Sequence, residues 1–204
     1  QAARAGAKTV LVEQGFQVGG NLSCGGVSFP GLFHAWGRQV IAGCGWDLVT
    51  NCVALAGGTL PDFAADVGRS HWRHQVRINI PLWVALAEEQ LIAAGVDVRY
   101  HTAPSAVAHG EGDAGGWTVR LSAMGEERTL RAAVLIDATG NGALAALAGV
   151  KRLRGDRTQP GGYTYLIDPG VRSSKLDIPA LERARNEAIA RGELNPNDIC
   201  RGVK

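Results

Sequence analysis

The sequence predicts an α/β protein: a parallel sheet flanked by helices, with an antiparallel three-stranded meander set into it. Three observations predict this. Short apolar runs rich in β-branched residues, at 8–13, 96–100 and 134–138, read as strands buried on both faces. Helical stretches that stop at glycine stand beside them. Three more strand-like pieces, at 105–109, 117–122 and 128–133, follow one another with only turn residues between them, the pattern of a meander.

Taken in order, "QAARA" at 1–5 reads as the last turns of a helix, and Gly6 as its stop. "KTVLVE" at 8–13 is a buried parallel strand that ends on Glu13. A helix, a short loop and a strand form the second half of a βαβ unit. "WDLVTNCVALAGG" at 46–58 places apolar residues at helical spacing before two glycines. "GTLPDFAADVGRSHWRH" reads as a loop, and "QVRINI" at 75–80 alternates like a strand. Asn79 is a helix cap, with Pro81 in the first turn of the helix that ends at Gly95. A strand at 96–100 and the meander follow. The run at 134–138 breaks at Thr139-Gly140 and continues as an alanine-rich helix to Gly149. "YTYLI" at 163–167 opens a further strand, and 177–192 is a surface helix with Ile178, Leu181, Ala184, Ala188 and Ile189 on one face.

Composition excludes several classes. The 204 residues amount to one large domain, or one and part of another, and 46% hydrophobic content supports a real core. A net charge of +2 without any basic run gives no nucleic-acid or membrane-surface signature. No apolar run reaches membrane-spanning length. Cys24, Cys44, Cys52 and Cys200 form no C-x-x-C pair, so they read as thiols in a reducing compartment, and the chain as cytoplasmic. The 28 glycines are about twice the usual share and mark tight turns and close backbone approaches.

Three stretches carry chemistry, each with a bland alternative. Glu13 is either a solvated strand end or a carboxylate placed to accept both hydroxyls of an adenosine ribose at the carboxyl edge of an α/β sheet. "VGGN" at 18–21 is either a plain loop or a backbone that lets a pyrophosphate or ring approach its amides. "DATGNG" at 137–142 is either an ordinary strand-to-helix turn or a helix N-terminus suited to anions. Cys24, His34, Arg38, His71 and His74 are weaker candidates, because lone polar residues in a loop-rich segment are more often surface groups. The two histidines of "HWRH" have no carboxylate partner in range, so no metal site is expected.

The order of these parts resembles FAD-dependent oxidoreductases of the glutathione-reductase-type architecture, and more narrowly the group called simply FAD-dependent oxidoreductases. That group carries an "E…GG-x-x-T/S" segment and a later "IDATG-D/N-G…LA-x-LAG" segment. Here they read "EQGFQVGGNLS" and "IDATGNGALAALAG", with Gln159-Pro160 also fitting, and the resemblance runs from residue 1 to about residue 170.

The resemblance implies a Rossmann-like FAD-binding domain over 1–27, an insertion or cap over 28–80, the FAD-binding domain again over 81–162, and the start of a substrate domain over 163–204. It implies FAD as cofactor, with Glu13 on the adenosine ribose. Gly19, Gly20, Asn21 and Ser23 would lie along the pyrophosphate and isoalloxazine, with the backbone of Val107 on adenine. Thr139 and Gly140, with Asn141 beside them, would approach the diphosphate–ribityl region. The implied activity is redox of a small organic substrate, with NAD(P)H or another electron partner. The rival readings are a flavin monooxygenase or dehydrogenase of the same fold, and a non-catalytic nucleotide-binding domain. The family's G-x-G-x-x-G fingerprint precedes the segment that "QAARAGAKTVLVE" matches, so the chain reads as an internal fragment. Catalytic residues are not assigned.

Overall fold

In the computed structural model, which describes residues 1–68, 70–110, 115–153, 155 and 177–195, the acid-ended run forms strand β1 (Val10–Val12). It pairs in parallel with β4 (Asp97–Arg99), in the register Val10–Asp97, Leu11–Val98, Val12–Arg99. The amide of Glu13 extends the ladder onto the carbonyl of Arg99 at 2.9 Å. The chain divides into two compact units, residues 1–158 and 159–204.

In the first unit, residues 1–7 form turns, closed by Ala5 N–H on Gln1 O and Gly6 N–H on Ala3 O. Between β1 and β4 lie a short hairpin, β2 (His34–Ala35) with β3 (Arg38–Gln39), and two helices. Helix α1 (Cys44–Leu55) buries Leu48, Val49, Cys52 and Val53. Helix α2 (Ile80–Ala93) starts as its sequence dictates: the Asn79 side chain accepts the Leu82 amide at 3.1 Å, and a proline occupies the first turn. Phe33, Val49, Cys52, Val53, Val76 and Ile78 make one apolar cluster, and Val18, Leu48 and Ala87 a second. Trp83 and Leu86 of α2 pack against both, so one helix joins the two cores.

The meander is β5 (Thr102–His109), β6 (Trp117–Ala123) and β7 (Glu126–Ala132), in that order across an antiparallel sheet. Met124 and Gly125, both at positive φ, turn β6 into β7, the backbone that matches the twist of a two-residue hairpin. A bulge falls between Pro104 and Ala106, where proline cannot donate to the ladder. Val119 and Leu121 of β6 and Thr102 of β5 are the buried residues of the meander.

Two expected strands are absent as strands. Residues 75–79 do alternate, burying His74, Val76 and Ile78 and exposing Arg73 and Arg77, but they join no sheet. Their anchors are single hydrogen bonds, such as Ile78 N–H on Ser28 O at 2.8 Å, and a short 3-10 helix (His71–His74) runs into them. Alternation reports burial of one face, which a core supplies without a ladder. Residues 134–138 are likewise not a strand: no described strand lies beside them, and Val134 and Ile136 are 74% and 73% exposed. An apolar run reads as a central strand only if neighbours exist to take its backbone groups. Helix α3 (Ala143–Leu147) follows, shorter than the sequence suggests.

In the second unit, α4 (Ile178–Ala190) is capped by the Asp177 carboxylate, which accepts the Ala180 amide at 2.9 Å. None of its residues is fully buried, and Ala188 and Ile189 of its apolar face are half-buried. The strand expected at 163–167, Gln159-Pro160 and Cys200 lie outside the described residues.

Candidate functional site

Glu13 stands at the carboxyl end of β1, where the next residues must turn. One carboxylate oxygen, Oε1, accepts the Gly15 amide at 2.6 Å. The Glu13 carbonyl accepts the Thr102 amide, and the Gly15 carbonyl accepts the His101 amide, so the turn is tied to the start of β5. Nothing among the described residues bonds Oε2 of Glu13. Tyr100 is close enough to feel the Glu13 charge. Its phenol is pushed up to about 12, mainly by burial and then by its hydrogen bond to Glu88. Residue patterns did not single out Tyr100, because a tyrosine ending a strand is unremarkable until its neighbours are known.

The glycine loop follows. Val18 is buried, and Gly19 and Gly20 take φ of 110° and 50°, which glycine adopts freely. The loop closes on itself through Leu22 N–H on Gly19 O, Gly25 N–H on Gly20 O and Val27 N–H on Asn21 O. The two glycines are not equivalent. A Cβ on Gly20 meets nothing within 4 Å, so its backbone is open to a ligand. A Cβ on Gly19 would fall 2.6 Å from Cζ3 of Trp83 and 2.9 Å from Oγ of Ser23, so packing alone requires glycine there. Ser23 is buried and its hydroxyl donates to Val18 O at 2.7 Å. Asn21 contributes backbone to the loop closure.

The turn at 137–142 is organised by Asp137. Its Oδ1 accepts Thr139 N–H at 2.9 Å and the Thr139 hydroxyl at 2.6 Å, while Oδ2 accepts Ala145 N–H at 2.8 Å. These bonds, the Thr139 hydroxyl's first, hold the Asp137 carboxyl below the usual carboxylate range. Ala143 N–H is shared by Thr139 Oγ1 and Asn141 Oδ1. The chain's own carboxylate, hydroxyl and amide oxygens thus take the Ala143 and Ala145 amides at the start of α3. Gly140 remains open, at φ 77° with nothing within 4 Å of a Cβ. Val107 is half-buried in β5, opposite Val119, and β5 is an edge strand of the meander.

The weaker candidates separate. Cys24 is exposed, and its Sγ accepts from Gln17 Nε2 at 3.7 Å. Arg38 is exposed in β3. His34 stacks on Phe63, with ring centroids 3.7 Å apart and planes 9° apart, and Trp46 meets it edge-on. His74 is 3% exposed and touches Phe63 edge-on. Among the described residues, neither ring nitrogen of His74, nor Nδ1 of His34, has a hydrogen-bond partner. Burial, and then the neighbouring His74, lowers the affinity of His34 for a proton. Among the described residues no three His, Cys, Asp or Glu side chains converge on a metal site, and no helix is long and apolar enough to cross a membrane.

These parts fit an FAD. They supply a strand-end carboxylate with an oxygen to spare, a positive-φ loop whose Gly20 is uncovered, and a second uncovered glycine at 140. No match to a curated protein was found. A family model, "FAD dependent oxidoreductase", matches residues 1–171, most of the chain. The chain belongs to the FAD-dependent oxidoreductase family, whose members bind FAD and carry out flavin-linked redox chemistry.

Proposed function

We propose that FAD lies along this chain's own loops in a Rossmann-like arrangement of the glutathione-reductase type. Glu13 accepts the adenosine ribose hydroxyls, Gly19, Gly20, Asn21 and Ser23 line the pyrophosphate and isoalloxazine, and the Val107 backbone meets adenine. Thr139, Gly140 and Asn141 approach the diphosphate and ribityl chain. The observation that carries this reading is the Glu13 carboxylate, fixed through Oε1 at a strand's carboxyl end with Oε2 to spare, immediately before an open glycine loop. Bound FAD would supply the redox chemistry, exchanging hydride or electrons with a small organic substrate and with an electron partner such as a nicotinamide nucleotide. Trp83 and Ser23 hold the loop's shape. Asp137 holds the 137–145 turn and leaves Gly140 clear. The domain limits follow the same reading: FAD-binding segments over 1–27 and 81–162, an insertion over 28–80, and a substrate domain from 163.

The test is a titration of the whole chain with FAD, read by protein fluorescence. Trp83 lies against Gly19, so saturable quenching is expected, together with a visible flavin spectrum that survives gel filtration and bleaches on reduction. Fluorescence and spectrum that do not change with FAD would overturn the reading. Bound FAD that is never reduced by any organic donor would mark a nucleotide-binding domain without redox function.

A further inference from the structure

Two grooves in the first unit differ in charge. The larger, about 580 Å³, contains Arg99 and Arg128 in its lining, but each is neutralised by a neighbour also in the lining. Arg99 pairs with Asp97 at 2.8 Å and Arg128 with Glu126 at 2.8 Å. The second, about 440 Å³, has an apolar side made by Val53, Ala56, Leu60 and Pro61, and a polar side made by Arg73, Gln75 and Arg77. Among the described residues neither of these arginines forms an ion pair or donates a hydrogen bond to a side chain. The nearest acid in sequence, Asp66, turns Oδ1 back onto its own loop at Gly68 N–H, 2.9 Å away, and Asp62 does the same at Ala64 N–H, 3.0 Å away.

The polar side follows from the unpaired extended segment. Val76 and Ile78 face the core, so Gln75 and Arg77 face out, and Arg73, near the end of the 3-10 helix, is exposed in the same groove. Arg73 is steadied by Trp72, whose ring centroid is 5.7 Å from the guanidinium carbon. A cation–π contact of this kind leaves the N–H donors uncommitted. Stabilising the carboxyl end of α1 does not account for the pair. The carbonyls of Cys52, Ala54 and Val53 there already accept the amides of Ala56, Gly57 and Gly58.

We propose that this groove binds an organic anion, a carboxylate or phosphate head on an apolar body. The two guanidiniums take the head in the fork geometry that suits both groups, and the Val53–Ala56–Leu60–Pro61 side takes the body. Its volume is in the range of small-molecule sites. The proposal does not rest on the flavin site.

The experiment is calorimetric titration of the whole chain with octanoate, octyl phosphate, inorganic phosphate and octanol, repeated with Arg73→Gln, Arg77→Gln and Arg77→Lys. Octanoate or octyl phosphate should bind, and whichever binds tighter names the head group. Inorganic phosphate and octanol, each lacking half of the ligand, should bind more weakly. Each Gln variant should weaken binding about five- to tenfold, with Arg77→Lys in between. Melting temperature and FAD retention should not move. Three outcomes would overturn the site: no anion binding, octanol binding as well as octanoate, or unchanged affinity in both Gln variants.

Discussion

Cζ3 of Trp83 stands 2.6 Å from the point where a Cβ on Gly19 would lie, so the indole and the glycine share one space. Trp83 also reaches both apolar clusters, so it cannot retreat without opening one of them. Gly19→Ala should therefore destabilise the protein by about 2–4 kcal/mol, from overpacking together with the strain of φ 110°. A denaturant melt measures this. Trp83→Leu should cost stability alone but recover part of the Gly19→Ala loss, with a coupling of at least about 0.5 kcal/mol. Strict additivity of the two substitutions would sink the shared-space argument.

Gly140 gives the opposite case. No atom of the chain lies within 4 Å of a Cβ there. Gly140→Val should fold, with a loss limited to backbone strain of about 1–3 kcal/mol. If FAD approaches this backbone closely, the same variant should emerge colourless. Undiminished flavin stoichiometry in folded Gly140→Val would rule out close approach at this turn.

Glu13 has two tasks that substitution can separate. Oε1 holds the Gly15 amide, and Oε2 is left for a ribose. Glu13→Gln keeps a side-chain acceptor for the turn but removes the charge. FAD affinity should fall by about 1.5–3 kcal/mol, roughly ten- to hundredfold, while the melt stays close to wild type. Glu13→Ala should lose both. Equal dissociation constants for wild type and Glu13→Gln would remove Glu13 from the cofactor site.

Acid should loosen the His34–Phe63 stack. His34 holds its proton less well folded than unfolded, because burial and His74 both oppose the charge. The unfolded imidazole titrates near ~6.5. Below that pH the unfolded chain binds more protons, so this contribution to stability is present above ~6.5 and is lost as pH falls through the lower folded value. Melting temperature should drop from about pH 7 to pH 5, and His34→Phe should flatten that slope while keeping the ring stack. A slope unchanged in His34→Phe would assign the acid sensitivity elsewhere.

Local chemistry was legible in the sequence, and partner-dependent structure was not. The Asn79 cap with Pro81, the Gly95 stop and the three meander strands follow from residues within a few positions of one another, and all stand as read. Residues 75–79 and 134–138 were misread because a strand is a relation between two segments, and one segment's periodicity cannot reveal whether the other is beside it. In the candidate site, Glu13 and the glycine loop were singled out by type and spacing. Trp83, Tyr100 and Asp137 did not. Trp83 and Tyr100 act on residues tens of positions away, and the part Asp137 plays lies in which amides its two oxygens accept.

The pairing of β1 with β4 sets an order of assembly. The meander joins neighbours in sequence and closes only short loops, so it can form early. Val10 meets Asp97 only after everything between them has been gathered in, and three pairs of residues reward that closure. The parallel pair is therefore expected to form after the meander, and amides there should exchange with solvent hydrogen sooner than those of β6. Glu13 rides on the end of that ladder. A ligand gripping Glu13 would hold that ladder closed and slow the exchange of its amides.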